Sequence, residues 1–133
     1  MNDRQPPATF KVIRTQEFVR SASPAPGERQ RVQILSSTDH AGLLAGIFGS
    51  IPPAQPGETP SYHFHRHRES IIQILSGDGT EMVEGNAVPL APGDVIFLPP
   101  NVKHTLMNNS ATEQLRYMEF YTPTAPDVVR AGE

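Results

Sequence analysis

Residues 57–77 read GETPSYHFHRHRESIIQILSG, and they carry the strongest chemical signal in the chain. Three of the five histidines fall here, at His63, His65 and His67, and Glu69 follows them. Residues two apart on a β-strand point to the same side, so His63 and His65 can bring imidazole nitrogens to one metal ion. A reversal of the chain after these histidines would let Glu69 approach the same ion from the start of the next strand.

A further histidine, His104, stands alone downstream and adds to the candidate ligands. Three neutral imidazoles and one carboxylate suit iron, manganese, nickel, copper or zinc. The expected cofactor is therefore one divalent transition metal ion. His65 and His67 have the same spacing as His63 and His65, so a second register of ligands is open. In the favoured register, His67 is either a turn residue beside the site or a proton shuttle.

The composition predicts an all-β fold in one domain. The chain has 133 residues, a length typical of a single domain, and includes 10 glycines and 14 prolines. Proline removes a backbone donor and glycine permits turns, so short strands joined by turns are favoured and a helical bundle is disfavoured. Because the sequence has no cysteine, disulfides, thiolate metal sites and cysteine nucleophiles are excluded.

Short apolar stretches between marked turns predict the strands of a closed barrel. A single domain is expected over residues 1–133, with a barrel core at about 31–121. The polar segments 1–8 and 122–133 are expected to be flexible. The predicted strands are 9–15, 31–36, 43–49, 61–65, 70–75, 79–83, 87–90, 95–98, 103–107 and 114–121.

The charge balance argues against polyanionic partners. A net charge of -3, from 11 basic and 14 acidic residues, supplies no field that would attract nucleic acid or an anionic membrane. The longest uncharged stretch, residues 41–57, is interrupted by prolines and glycines and cannot be a membrane span. Residues 1–7 lack the apolar core of a secretory signal, so a cytoplasmic protein is expected.

Two segments together resemble the motifs of the cupin superfamily. Residues 57–77 are similar to its first motif, Gly-x5-His-x-His-x3-4-Glu-x6-Gly, except that seven residues separate Glu69 from Gly77. Residues 93–108 are similar to its second motif, Gly-x5-Pro-x-Gly-x2-His-x3-Asn, with Asn101 at the internal glycine. Asparagine tolerates the left-handed backbone conformation better than other non-glycine residues. The chain is therefore identified as a small, single-domain, metal-binding cupin.

The resemblance implies an all-β, cupin-type double-stranded β-helix, which is a jelly-roll barrel. Small cupins often form homodimers in which an N-terminal strand extends the partner's sheet, so a homodimer is expected. Phe10, Val12 and Phe18 are available for that contact. The implied metal ligands are His63, His65, Glu69 and His104.

Strand parity extends the site to the lining of a pocket. If Glu69 points inward, so do Ile71, Gln73 and Leu75. Gln73 would then bind substrate or a metal-bound water, or be a core amide with its partners satisfied. Further candidate acid or base groups, for which packing is the alternative role, are Tyr62, Tyr117, Glu119 and Tyr121.

Cupins include dioxygenases, decarboxylases, lyases, isomerases, cyclases, sugar-binding proteins and seed storage proteins, so the fold does not fix the reaction. A full ligand set favours a metal-dependent enzyme acting on a small organic molecule, with dioxygenase chemistry at an iron centre as the favoured reaction. The first alternative is a lyase, isomerase or cyclase in which the metal is only a Lewis acid. The second is a non-catalytic module that binds or senses a small molecule.

Overall fold

The computed structural model describes residues 11–21, 28–36 and 42–131, and this part of the chain forms one short helix and ten strands. The predicted all-β class is confirmed. In chain order the elements are α1 (Thr15–Ser21), β1 (Gln30–Leu35), β2 (Ala45–Ile51), β3 (His63–Phe64), β4 (Glu69–Ser76), β5 (Gly79–Val83), β6 (Asn86–Leu90), β7 (Val95–Leu98), β8 (His104–Asn108), β9 (Leu115–Thr122) and β10 (Val129–Arg130).

The strands form two antiparallel sheets of five strands each. One sheet has the order β1-β2-β9-β4-β7 and the other β10-β3-β8-β5-β6, so strands distant in sequence become neighbours. Both sheets contribute to one buried apolar cluster, which therefore lies between them. The members of this core cluster are Ile51, Ile72, Ile74, Leu90, Leu98, Leu106, Leu115 and Tyr117.

Strand β4 alternates between exposed and buried side chains over residues 69–74. Its exposed members are Glu69, Ile71 and Gln73, and its buried members are Ser70, Ile72 and Ile74. The predicted parity, with Glu69 and Gln73 pointing inward, is therefore wrong. Ile72 and Ile74 belong to the core cluster, and the two-residue period of a strand then points Glu69 and Gln73 to the other face.

The outer face of the first sheet carries a second apolar cluster, which helix α1 covers. Ile34, Phe48 and Met118 are buried there, and Leu75 packs against them rather than against the core cluster. Phe18 of α1 stacks on Phe48 with ring centroids 5.3 Å apart. No helix among the described residues has the length and hydropathy that a membrane span requires.

The strand predicted at residues 9–15 does not form in the described part of that range. Residues 11–14 have no regular structure, and α1 begins at Thr15. Val12 is exposed and Phe18 packs on its own sheet, whereas Phe10 lies outside the described residues. Tertiary packing determines the conformation of this segment. The short helix would be only marginally stable alone, and it forms because it covers the apolar outer face of the sheet.

The C-terminal segment runs along the second sheet as its edge strand. β10 pairs with β3, and Arg130 lies opposite His63. Backbone pairing satisfies hydrogen-bonding groups of this segment at β10, and the expected flexibility of 122–133 stays a prediction. Residues 132–133, like the predicted flexible segment 1–8, lie outside the described residues. We call residues 122–131 the C-terminal strap.

Two turn residues of the quoted segments have left-handed backbone conformations. Gly77 has a φ of 101°, and a Cβ atom there would lie 2.6 Å from the Gln114 carbonyl oxygen. Asn101 has a φ of 66°, so asparagine does adopt the conformation expected at the internal glycine. The Asn101 N–H donates to the His65 carbonyl oxygen at 2.7 Å, which ties this turn to the histidine segment.

Candidate metal centre

Three histidine side chains converge at one end of the second sheet. His63 on β3 lies directly opposite His104 on β8, and His65 follows β3 by one residue. The ring centroids are 4.4 Å apart for His63 and His104, 5.1 Å for His63 and His65, and 5.3 Å for His65 and His104. One nitrogen from each ring lies within 4.8 Å of the others, so the cluster could hold a metal ion.

Hydrogen bonds to backbone carbonyls set the tautomers of two of these rings. His65 Nδ1 lies 2.6 Å from the Asp127 carbonyl oxygen, and His104 Nδ1 lies 2.9 Å from the Val102 carbonyl oxygen. A carbonyl only accepts, so each Nδ1 carries the proton and each Nε2 keeps its lone pair. His65 Nε2 is buried and has no partner among the described residues. This donor set fits a metal ion, since second hydrogen bonds of this kind orient metal-ligating imidazoles.

Burial lowers the pKa of two imidazoles of the cluster, those of His63 and His104. Burial lowers the pKa of His63 to about 3, with further lowering from the neighbouring His104, His65, Arg31 and Arg130. Burial also lowers the pKa of His104, against a hydrogen bond to the Val102 carbonyl that raises it. Neutral rings have the lone pairs that a metal ion requires.

Asp127 in the C-terminal strap fastens the turn between His65 and β4. Its carboxylate accepts the N–H of Arg66 at 2.9 Å and the N–H of His67 at 2.7 Å. These hydrogen bonds lower the pKa of Asp127. Together with the bond from His65, they make Asp127 a positioning residue for the cluster. The sequence analysis missed it, because Asp127 is 60 residues or more from its partners and no local pattern marks it.

The structure does not bring Glu69 into the histidine cluster. Glu69 is exposed at the start of β4, and Ser70, which is 1% exposed, takes the inward position. The sequence contained the signal, because the six residues that precede Gly77 are 71–76, which puts Ser70 rather than Glu69 at the position of the motif's glutamate. The Ser70 hydroxyl is buried and has no partner among the described residues. The centre is therefore a cluster of three histidines without the implied carboxylate.

Three of the candidate catalytic residues, His67, Gln73 and Tyr62, lie outside the cluster. His67 is exposed and is held in the turn by its backbone N–H, which agrees with the turn-residue interpretation. Gln73 is exposed on β4, and its Nε2 approaches only the Gly93 carbonyl oxygen, at 3.5 Å. Tyr62 lines a separate cleft of about 290 Å³ with Glu84, Gly85, Lys103 and Ala131.

Two cavities adjoin the cluster and share Arg31, His63 and Glu119 in their linings. The outer cleft, of about 550 Å³, is open to solvent and includes His65, Arg68 and Tyr121 from the strands and Pro126, Val128 and Arg130 from the strap. The inner cavity, of about 30 Å³, lies toward the core and includes His104, Glu81 and Tyr117. Of the other candidates, Glu119 and Tyr121 thus line the outer cleft, and Tyr117 lines the inner cavity.

Glu81 is an unusual residue at the inner cavity. It is 0% exposed, and both carboxyl oxygens lack a hydrogen-bond partner among the described residues. Burial raises its pKa to about 8; the nearby Glu119 also raises it, and Arg29 lowers it. The sequence analysis missed Glu81 because no local pattern marks it as buried; its inward position follows from the pairing of β5 with β8.

Residues 54–121 match the cupin domain family, and the chain belongs to this family. The identification made from the two histidine-containing segments is thereby confirmed. The fold is also that of cupins of known structure. An uncharacterized conserved protein with a double-stranded β-helix domain from Klebsiella pneumoniae has a TM-score of 0.71 at 20% identity, over 94% of this chain and 100% of that one. The predicted double-stranded β-helix is confirmed.

Two of the similar proteins, RemF and TcmJ, have names from polyketide biosynthesis. The polyketide cyclase RemF from Streptomyces resistomycificus has a TM-score of 0.71 at 20% identity, over 94% of this chain and 87% of that chain. The tetracenomycin polyketide synthase protein TcmJ from Streptomyces glaucescens is 26% identical over 107 residues, which are 79% of this chain and 70% of TcmJ. Protein SchB from Streptomyces halstedii is 28% identical over 104 residues, which are 76% of this chain and 74% of SchB.

Proposed function

We propose that this protein is a metal-dependent, non-redox enzyme that cyclises a small organic molecule with several carbonyl groups. The observation that carries the proposal is the cluster of His63, His65 and His104, placed between an open cleft and a buried cavity. Likeness to the polyketide cyclase RemF supports cyclisation, and likeness to the polyketide synthase protein TcmJ supports a polycarbonyl substrate. The dioxygenase reaction favoured by the sequence analysis has no comparable support, so the Lewis-acid alternative becomes the main proposal.

The ligand set bears on the choice of metal. With Ser70 inward and Glu69 exposed, the cluster offers three imidazoles and no carboxylate. Zinc is commonly held by three protein ligands with a further position for water or substrate, whereas non-haem iron typically uses two histidines and a carboxylate. We therefore propose zinc in place of the iron expected from the sequence.

The proposed reaction needs one group to accept a proton and another to donate one. Cyclisation joins an α-carbon, which loses a proton, to a carbonyl carbon, whose oxygen gains one. His63, His65 and His104 would hold a divalent metal ion, which would supply Lewis acidity toward that oxygen. Glu119 lines both cavities and is the group that we assign to accept the α-proton. Glu81 has a pKa of about 8, so it holds a proton at neutral pH and can donate it to the oxygen; the α-proton on Glu119, which lines the same inner cavity, then replaces it.

The test is turnover with and without oxygen. A synthetic linear 1,3,5-tricarbonyl compound is incubated with zinc-loaded protein under air and under argon, and products are followed by mass spectrometry. We expect equal rates in both atmospheres and a product of unchanged mass or lighter by one water. The His104→Ala variant should be inactive, whereas His67→Ala, which changes an exposed residue outside the cluster, should keep its activity.

The other outcomes each contradict the proposal in a different way. A product that gains oxygen atoms only under air would restore the dioxygenase interpretation. Binding of the tricarbonyl compound without any turnover, with zinc or with iron, would favour the non-catalytic binding module. Full activity in His104→Ala would show that the histidine cluster is not the reaction centre.

The homodimer remains a prediction, and the structure suggests a surface for it. Ile71 (47% exposed), Val95 (57%) and Phe97 (54%) lie on β4 and the edge strand β7 of the first sheet. An exposed apolar edge of this kind is commonly covered by a partner. Light scattering should give twice the chain mass of 14.6 kDa. Phe97→Ser should shift the protein toward the monomer, while Val12→Ser should not; a monomeric parent protein would refute the prediction.

A further inference from the structure

We infer that the outer cleft binds its substrate through a planar carboxylate, which is held by Arg68, Arg31 and Arg130. A carboxylate would define the substrate class of the proposed enzyme. That the bound molecule is a substrate rests on the proposed function. The binding itself can be measured without any reaction.

Arg68 provides the first observation. Its side chain is only 8% exposed, and its guanidinium carbon lies 3.9 Å from the centroid of the Tyr121 ring. One Nη2 N–H donates to the Ala125 carbonyl oxygen at 3.1 Å, and the buried Nε has no partner. Within the residues that the structure describes, no carboxylate pairs with Arg68. A buried cation without a counter-charge is costly, so an anion at the cleft would compensate it.

Arg31 and Arg130 provide the second observation. Both line the outer cleft and both are exposed, one on β1 and one on the strap. Arg130 is paired with His63 in the sheet, and Arg31 hydrogen-bonds the Tyr117 hydroxyl. Glu119 is the one carboxylate among the described residues of this lining. The cleft therefore carries an excess of positive charge beside the histidine cluster.

The chemistry of the lining narrows the class of ligand. The planar guanidinium group can donate two parallel hydrogen bonds to a carboxylate, a geometry that also suits the delocalised oxygens of an enolate. The remaining wall combines the polar side chains of Gln33 and Thr124 with apolar or aromatic ones, which are Ile47, Tyr121, Pro126 and Val128. A cleft of about 550 Å³ is in the range that accommodates molecules of drug size. These features together fit an aromatic or polycarbonyl molecule with one carboxylate.

The experiment compares two probes that differ only in charge, 2-naphthoate and 2-naphthamide. Binding is followed by naphthalene fluorescence, which is convenient because the chain has no tryptophan. We titrate the protein as purified and again after EDTA has removed its metal. This separates ligation of the carboxylate to a metal from binding of the carboxylate to the arginines. We expect naphthoate to bind about tenfold or more tightly than naphthamide in both preparations, and added salt to weaken naphthoate alone.

Substitutions of single arginines identify which positive charges bind the carboxylate. Arg130→Gln should weaken naphthoate about fivefold or more and leave naphthamide unchanged. Arg66→Gln is the matched control, because Arg66 is an exposed arginine near Phe64 that does not line the outer cleft, and it should change neither probe. Arg68→Lys keeps the charge but loses the planar fork and should also weaken naphthoate; Arg130→Gln serves if this variant does not fold.

Several results would overturn the assignment. Equal binding of the two probes, or no binding of naphthoate, would show that the cleft does not select a carboxylate. An equal loss in Arg66→Gln and Arg130→Gln would indicate general surface charge. Displacement of naphthoate by inorganic phosphate at lower concentration than by benzoate would assign a phosphoryl group instead. Failure of the cyclisation assay with carboxylate binding intact would reject the proposed function and leave the cleft assignment standing.

Discussion

His104→Ala should lower the metal content of the purified protein from about one ion per chain to less than about a tenth of that. His104 is buried and lies opposite His63, and its Nδ1 is fixed by the Val102 carbonyl oxygen, so its Nε2 has a single available orientation. Because the cluster has three histidines and no carboxylate, loss of one ring leaves two ligands. The measurement is elemental analysis of protein purified without added metal and without a metal-affinity column.

The control for this prediction is His67→Ala, which removes an exposed imidazole from the same segment and should retain the parent's metal content. His63→Ala should behave like His104→Ala. Zinc in the parent protein that is lost in both cluster variants would agree with the non-redox proposal. Iron in its place would favour the dioxygenase reaction. Metal retained in both variants, or lost equally in His67→Ala, would show that the ligand assignment is wrong.

The free energy of unfolding of the parent protein should fall between pH 6.5 and pH 8, and Glu81→Gln should abolish this fall. Glu81 has a pKa of about 8 in the folded protein, against an ordinary value of 4.5, so the folded state holds a proton that the unfolded state has released. Stability then falls as pH rises through this range, by about 1.4 kcal/mol per pH unit, or roughly 2 kcal/mol in all. The glutamine variant lacks this titration and should keep its stability.

The pH range starts at 6.5 because, below this value, the titration of other groups changes the stability in the direction opposite to that of Glu81. His63 has a pKa of about 3 in the folded protein against an ordinary 6.5, so its contribution to stability is lost as pH falls between these values. Urea unfolding of the EDTA-treated protein, followed by circular dichroism, measures the free energy of unfolding at each pH. Glu113→Gln changes an exposed carboxyl and should follow the parent. A parent whose stability is constant from pH 6.5 to pH 8 would contradict the prediction.

His104 and Glu81 differ in how far the sequence alone could predict their roles. His63 and His65 were identified because their spacing of two is a local property of a strand, and His104 because its segment resembles the second cupin motif. Glu81 is one of fourteen acidic residues, and only the packing of β5 against β8 shows that it is buried. Its burial depends on contacts between segments far apart in the chain, which composition and periodicity do not encode.

The error at β4 has a similar origin. The sequence correctly predicted a strand here, but the choice of inward face rested on the assumption that Glu69 binds metal. A shift of one residue reverses every side chain of a strand, and the core contacts of Ile72 and Ile74 determine which choice is realised. Ser70 therefore occupies the position assigned to the carboxylate.

The sequence by itself determined the all-β class, most of the strands, the turn at Asn101 and the histidines of the candidate centre. These are set by interactions within a few residues: strand alternation, turn conformations and the spacing of side chains on one face. Only the tertiary structure decided that α1 covers the outer face of the first sheet, that Asp127 in the strap fastens the histidine turn, and that Glu69 is excluded from the cluster. Those outcomes depend on which distant segments meet, and that is fixed by burial of the core rather than by local sequence.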